Sequence, residues 1–467
     1  MDTPSSDSIS LAQAVSEALR LPLEHMPDPL PLCPLPGAFF AEIVPPGSKS
    51  LTNRLLVLAA LAGGESVIRR PLVEADDVRV MMRGLAQLGA DVLLREEDDG
   101  TPYLRVIGVH GLPLGNVKLA LENSGTSVRF LSAMGALADG PVTLDGTSRM
   151  RQRPIDELVT ALRSLHLRVE DLGEHGFPPI RVHGVPDAKL LGGRVSFETP
   201  ASSQFISALL MIAPWTEQGI DVSISGEVTS LSYIQMTVGL MQQLGADIEH
   251  VPDFSRIHVK PVEIEPFDII VEPDASGATY FWAAAALNPD SVCRVPYISP
   301  VSWQGDARFV NTLGAMGAIP EIMDDAIMIE TPRPELPLRG VGVDFSSMPD
   351  AAMTLASCAV FAEGPTVITG LRTLRDKECD RIEATRAELE KIGAVIEASD
   401  TALRITPPET WTDEPVEFDT YDDHRMAMAL ALVGLRRPNV FIRNPVCVAK
   451  TYPEFWRDLS RLYEAAL

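Results

Sequence analysis

A chain of 467 residues is long enough to bury two or three separate cores, and with 46% hydrophobic but only 6% aromatic residues those cores are aliphatic. The net charge of −25, from 39 Lys and Arg against 64 Asp and Glu, argues against a nucleic acid or an anionic membrane as partner. No apolar run approaches the ~18 residues of a membrane span, and five scattered cysteines with no Cys-x-x-Cys pair favour a reducing compartment over a disulfide framework.

Residues 1–38 hold a possible helix near Ser8 to Leu21 and then a Pro-rich tract from Pro22 to Pro36. The segment lacks the charged start and long apolar centre of a secretory signal and the Arg enrichment of a transit peptide. It reads as a partly mobile, Pro-stiffened extension of a cytoplasmic protein. A strand over residues 39–44 leads into Pro-Pro-Gly-Ser-Lys-Ser-Leu-Thr-Asn-Arg at residues 45–54. Pro45, Pro46 and Gly47 break the strand, and Leu51, Leu55, Leu56, Leu58, Ala59 and Ala62 supply an apolar helical face. The helix start collects two hydroxyls, an amide, a Lys and an Arg where free N–H groups and the helix dipole already favour an anion. Two readings stand: a phosphate or carboxylate site, or a Ser-capped surface helix with two solvated cations.

The arrangement recurs. Six times a polar or Gly-rich opening precedes an apolar helix, a Gly, Pro or Asn break and a β-branched strand, and the strand positions Val67, Val142, Val222, Val292, Val367 and Val440 lie 70 to 80 residues apart. A weaker echo is a helix ending in Gly-Ala before a strand, at Leu88, Leu244, Met316 and Ile392, with Leu165-His-Leu in the missing slot. The unit is therefore two helices with short strands, in six copies, each set long enough for compact domains rather than a solenoid.

The second copy opens with Asn123-Ser-Gly-Thr-Ser-Val-Arg, in which Gly125 lets a ligand approach the backbone and Arg129 falls one turn further in; a plain turn and cap has the same composition. Arg149-Met-Arg-Gln-Arg-Pro is either a solvated basic turn or an anion clamp. The third copy offers hydroxyls and amides, Ala201-Ser-Ser-Gln and then Ser230-Leu-Ser-Tyr, which suit a neutral polyol. The last three copies differ: Asp274 and Asp350 start helices with a carboxylate, which serves equally as an N-cap. Charged stretches follow at residues 375–381 and 422–425, then Lys450. Taken alone the first is a solvated face, whereas His424 beside Arg425 suits no apolar face. The eight histidines form no His-x-x-x-His or Cys/His cluster, so no metal is expected.

In order and with compatible spacing, Pro46-Gly-Ser-Lys-Ser, Asn123-Ser-Gly-Thr, Arg149-Met with Arg153-Pro154, Ser202-Ser-Gln, Asp350-Ala-Ala-Met, Lys377-Glu-Cys-Asp-Arg, Asp423-His-Arg-Met-Ala-Met and Ala449-Lys-Thr resemble the EPSP synthase family of enolpyruvyl transferases. The resemblance implies an α/β fold of inside-out barrel type, with six βαβαββ repeats, three per domain, and helix N-termini facing a cleft. Its domains would comprise residues 39–47 with 273–467, and residues 48–272. It implies transfer of the enolpyruvyl group of phosphoenolpyruvate to the 5-hydroxyl of shikimate 3-phosphate, without metal or organic cofactor, by a monomer. Carried over residue by residue, shikimate 3-phosphate would meet Lys49, Ser50, Arg54, Ser202, Ser203, Gln204, Ser230, Tyr233, Asp350, Thr373 and Lys377. Phosphoenolpyruvate would meet Lys49, Asn123, Gly125, Arg149, Gln204, Arg381, His424, Arg425 and Lys450. Asp350 is the candidate base, Glu378 the candidate carbon acid, and Lys49 a third participant in proton traffic.

Three positions depart from the family pattern: Thr373 and Asp422 stand where members often have Asn, and Phe130 stands where glyphosate-sensitive members often have Pro. Rival readings are the UDP-N-acetylglucosamine enolpyruvyl transferase, a P-loop kinase and a non-catalytic anion-binding repeat protein. The first uses a reactive Cys in its N-terminal-side domain, and residues 48–272 contain none. The second needs glycines where Ile43 and Ser48 stand.

Overall fold

A computed structural model describes residues 6–185, 189–226, 230–331 and 338–467. The chain divides into two compact units, residues 1–46 with 273–467, and residues 47–272. Among the described residues no helix is long and apolar enough to cross a membrane.

Among the described residues, each unit is built from three small sheets and three central helices. The helices Lys49–Leu61, Gly125–Met134 and Ser203–Ile212 form the middle of one unit. Ala275–Leu287, Ala352–Ala359 and His424–Gly434 form the middle of the other. Gly125–Met134, Ala275–Leu287, Ala352–Ala359 and His424–Gly434 are buried along their whole length. The sheets lie outside the helices, the inside-out order that the family resemblance implies.

All six strand positions read from the sequence fall in strands of equivalent role. Glu65–Arg69, Pro141–Asp145, Ile220–Ser225, Val292–Pro296, Thr366–Thr369 and Val440–Ile442 each pair with one parallel and one antiparallel neighbour. The Gly-Ala echo has a backbone cause. Gly89, Gly245, Gly317 and Gly393 end their helices at φ of 100°, 95°, 119° and 87°, and His166 takes the fifth slot at φ 65°. That left-handed residue is the usual helix stop, and glycine adopts it without strain.

The stretch read as a mobile extension is folded from Ser6 onward. The helix Ser6–Leu19 buries Ala12, Val15 and Leu19, and it packs on the last helix, Phe455–Ala466. Leu30–Leu32 pairs antiparallel with Val440–Ile442, so the third strand of the sixth sheet comes from the other end of the chain. The physical reason is an open edge: the sixth copy ends in a helix, and its strand would otherwise leave unpaired N–H and C=O groups. Proline at Pro31 is tolerated because this is an edge strand.

Candidate active site

In the unit of residues 47–272, the three central helices open at Lys49, Gly125 and Ser203. Each is capped by the serine before it: Ser48 Oγ accepts from Leu51 N at 3.5 Å, Ser124 Oγ from Ser127 N at 3.4 Å, and Ser202 Oγ from Gln204 N at 3.3 Å. The helices pack on one another, which brings their starts into one neighbourhood. Gln204 Nε2 accordingly donates to Thr126 Oγ1 at 3.2 Å. Lys49 Nζ lies 3.1 Å from Asp77 Oδ2, on the helix Asp76–Gln87.

Arg54 is 2% exposed, and among the described residues no carboxylate pairs with it. Its Nε donates to Thr237 Oγ1 at 2.8 Å, Nη1 to the Ser50 carbonyl at 2.9 Å, and Nη2 to Ser207 Oγ at 3.4 Å and the Tyr233 carbonyl at 3.3 Å. The rings of Phe130 and Tyr233 lie 5.4 and 5.9 Å from the guanidinium carbon. Burial pushes the Arg54 pKa down to about 10, so it is still a cation at neutral pH. A buried cation held by neutral groups is where an anionic ligand gains most.

At the second helix start, Arg129 Nη1 donates to the Gly125 carbonyl at 3.0 Å and Nη2 to the Pro154 carbonyl at 3.1 Å. Arg153 Nη1 reaches the Asn123 carbonyl at 3.5 Å. A Cβ on Gly125 would stand 2.6 Å from both Arg129 Nη1 and Arg153 Nη2. Glycine there is what lets two guanidiniums lie over one helix end. Arg149 stands just before the turn Met150–Gln152 and reaches Gln152 Oε1 at 3.4 Å. Ser230, at φ 55°, precedes the helix Leu231–Gln243, and its carbonyl accepts from Tyr233 N at 3.1 Å.

The other unit gathers its charges around Arg381, which is 2% exposed. Its Nε and Nη2 grip Asp423 Oδ2 and Oδ1 at 2.8 and 3.1 Å, Nη1 meets Asp350 Oδ1 at 2.9 Å, and Nη2 meets Glu378 Oε2 at 2.9 Å. Asp350 also lies 3.1 Å from Arg425 Nη2 and 3.5 Å from Lys377 Nζ, while Lys450 Nζ lies 2.9 Å from Glu378 Oε1. Burial by itself would lower the Arg381 pKa, but the carboxylates of Asp423, Glu378 and Asp350 outweigh it and raise it. Lys377, Arg381, Arg425 and Lys450 thus face Asp350, Glu378 and Asp423, four cations against three carboxylates.

His424 opens the helix His424–Gly434, 1% exposed, with Nδ1 3.6 Å from Asp423 Oδ1. Thr373 stands on the turn Arg372–Leu374, which packs against the turn Pro349–Ala351 that carries Asp350, and its buried hydroxyl has no hydrogen-bond partner among the described residues. The structure therefore collects Asp350, Thr373, Lys377, Glu378, Arg381, His424, Arg425 and Lys450 in one unit. It places Lys49, Ser50, Arg54, Asn123, Gly125, Arg149, Ser202, Ser203, Gln204, Ser230 and Tyr233 at helix starts and turns of the other.

The sequence gives no sign of the ion pairs made by Asp77 and Asp423, nor of the place of Asp306. Asp423 does cap its helix, accepting from Arg425 N at 2.9 Å, and the same carboxylate binds Arg381. Asp306 follows Gln304, whose side chain ties Ala275 N and the Pro273 carbonyl at 3.0 and 2.8 Å. The Asp306 carboxyl accepts from Ser276 Oγ, with its other oxygen buried and unpartnered. Burial first, then the Asp350 charge, raise its pKa to about 6. Because the folded value exceeds the unfolded one, the folded state holds the proton more tightly, and stability falls as pH rises from about 4 through about 6. Asp306→Asn is therefore expected to stabilise the protein above about pH 7 by up to about 3 kcal/mol and by little near pH 4. Thermal unfolding at the two pH values checks this, and an equal shift at both contradicts it.

Residues 36–459 match the family model of EPSP synthase (3-phosphoshikimate 1-carboxyvinyltransferase). The 3-phosphoshikimate 1-carboxyvinyltransferase of Shewanella denitrificans is 40% identical over 429 residues, 91% of this chain and 97% of that one. Its counterpart from Ralstonia pickettii is 41% identical over 420 residues, 88% of this chain and 94% of that one. Among solved structures, EPSP synthase from Acinetobacter baumannii superposes with a TM-score of 0.74 over 92% of this chain and 97% of that one; at 24% identity this speaks for the fold. By its matched length, its relatives and its architecture, the chain belongs to the EPSP synthase (3-phosphoshikimate 1-carboxyvinyltransferase) family.

Proposed function

We propose that the chain transfers the enolpyruvyl group of phosphoenolpyruvate to the 5-hydroxyl of shikimate 3-phosphate and releases phosphate. The observation that carries this reading is the concentration of buried cations at helix starts in an otherwise acidic protein, since both substrates are polyanions. Arg54, with Ser50, Ser202, Ser203, Gln204, Ser230 and Tyr233 around the same helix starts, is assigned to shikimate 3-phosphate. Lys49, Asn123, Gly125, Arg149, Gln204, Arg381, His424, Arg425 and Lys450 are assigned to phosphoenolpyruvate. The reaction needs two proton movements. Asp350 accepts the 5-hydroxyl proton as the oxygen bonds to C2 of phosphoenolpyruvate, and Glu378 delivers a proton to C3. The resulting adduct then loses phosphate from C2 and a proton from C3, which restores the double bond in the product. Residues 48–272 are assigned to one domain, residues 39–47 and 273–467 to the other, and the protein to the cytoplasm as a monomer.

Phosphate release from purified protein given both substrates tests the reading. Release with UDP-N-acetylglucosamine in place of shikimate 3-phosphate, and none with shikimate 3-phosphate, would overturn it. Phe130 bears on inhibition: its ring is 1% exposed and lies under Arg54, where a proline would leave the guanidinium without that face. Glyphosate is expected to bind more weakly than to family members with Pro at this position. An inhibition constant against phosphoenolpyruvate as low as theirs would contradict this.

A further inference from the structure

The family model begins at residue 36, yet of the 30 residues before it that the structure describes, the turn Leu23–His25 packs against the turn that carries Lys450. That turn, Pro445–Lys450, is introduced by Asn444 in a left-handed conformation, φ 46° and ψ 55°. A helical turn leaves its first N–H groups without partners, and here two carboxylates from distant parts of the chain hold Asn444. Asp28 Oδ1 accepts from Asn444 N at 2.9 Å, and Asp422 Oδ1 accepts from Asn444 Nδ2 at 3.1 Å. Asp422 is the residue immediately before Asp423, His424 and Arg425.

The same segment grips the turn from three more directions. The strand Leu30–Leu32 fixes Val440–Ile442, two residues ahead of Asn444. The turn Leu23–His25 packs against Pro445–Lys450 directly. The helix Ser6–Leu19 backs the last helix, helped by the Arg20 to Glu464 ion pair and by the hydrogen bond from Tyr463 Oη to the Cys33 carbonyl. That last helix in turn donates from Trp456 Nε1 to the Pro445 carbonyl at 2.9 Å. The conformation of the Lys450 turn is thus set by residues on both sides of it, one side of which lies outside the family-matched region.

We infer that residues 6–35 are a positioning element for the phosphoenolpyruvate site, acting through Asp28 on the turn that presents Lys450. The inference rests on the assignment of Lys450 to phosphoenolpyruvate. Asp28 touches no substrate. It restricts Asn444 to the left-handed conformation from which the turn starts, so that the Lys450 ammonium is presented without a separate ordering step.

Steady-state kinetics of the full-length chain test this. Asp28→Ala is expected to raise the KM for phosphoenolpyruvate about fivefold, the ratio that about 1 kcal/mol of lost capping gives, with kcat and the KM for shikimate 3-phosphate unchanged. Asp28→Asn, which keeps an accepting oxygen, is expected to restore most of the affinity. In a Lys450→Met background Asp28→Ala is expected to have no further effect on that KM, because the two act on one interaction. If Lys450→Met raises the KM for phosphoenolpyruvate and Asp28→Ala does not, the inference fails alone. If Lys450→Met leaves that KM unchanged, the assignment of Lys450 fails and the inference with it. A rise in both KM values together with a lower thermal midpoint would show Asp28 to be only structural and would also overturn the inference.

Discussion

Asp350→Asn is expected to lower kcat by about 10³-fold, the range that general acid-base catalysis supplies, while both substrates still bind. The direction of each effect follows from the surroundings of this carboxylate. Among the described residues it is the one anion placed against Lys377, Arg381 and Arg425 together, and removing its charge leaves those cations less compensated. Binding of a polyanion should then hold or tighten, even as the proton acceptor for the 5-hydroxyl disappears. A simple loss of fold or of site would instead weaken binding. Single-turnover phosphate release, read beside titration of each substrate by tryptophan fluorescence, separates the two. Turnover within tenfold of the parent would remove Asp350 from the proposed role, and loss of shikimate 3-phosphate binding would recast it as a ligand.

A feature of this chain is legible in its sequence to the extent that the feature is local. The six helix starts were legible because each rests on a contiguous signal, a polar or Gly-rich opening followed by apolar helical spacing. So was the repeat, through strand positions from Val67 to Val440. His166 was recognisable as the odd member of the Gly-Ala series because one residue held the place of a left-handed stop. The fate of residues 6–35 was not legible. Leu30–Leu32 pairs with a strand some 410 residues away, and no local periodicity records a partner so distant; the prolines around it suggested a linker instead. The site divided in the same way. Lys49, Arg425 and Lys450 stood out as cations against an acidic background, whereas Asp423, in a charged stretch beside His424, carried no local sign that it would cap a helix and also pair with a distant arginine. Only the folded chain shows that Asp423 does both.

That double use makes Asp423 the position whose loss should destabilise the protein most. Its carboxylate is fully buried and takes two hydrogen bonds from Arg381 while it caps the helix His424–Gly434. Breaking a buried pair by removing one partner costs about 3–5 kcal/mol, because the remaining charge is left without its match. Arg381 cannot escape by losing its proton, since its pKa is raised and an arginine is charged throughout the usable pH range. Asp350 and Glu378 still face it, which places the expected loss for Asp423→Ala near the lower end of that range, with about 1 kcal/mol added for the missing cap. Asp423→Asn separates the two contributions: asparagine caps a helix as well as aspartate does, so this variant should lose the charge pairing and keep the capping, falling about 1 kcal/mol short of the alanine variant. Urea unfolding can be followed by tryptophan fluorescence, because four of the five tryptophans lie in the unit that holds this cluster. A group whose folded pKa is raised contributes stability that is lost only as pH climbs through that folded value, which for Arg381 lies beyond reach. The Arg381 contribution to the penalty should accordingly stay constant between about pH 6 and about pH 9. If Asp423→Ala unfolds within about 1 kcal/mol of the parent, the three-carboxylate grip on Arg381 is not what holds this cluster together. The orientation assigned to Asp350 and Glu378 would then need another source.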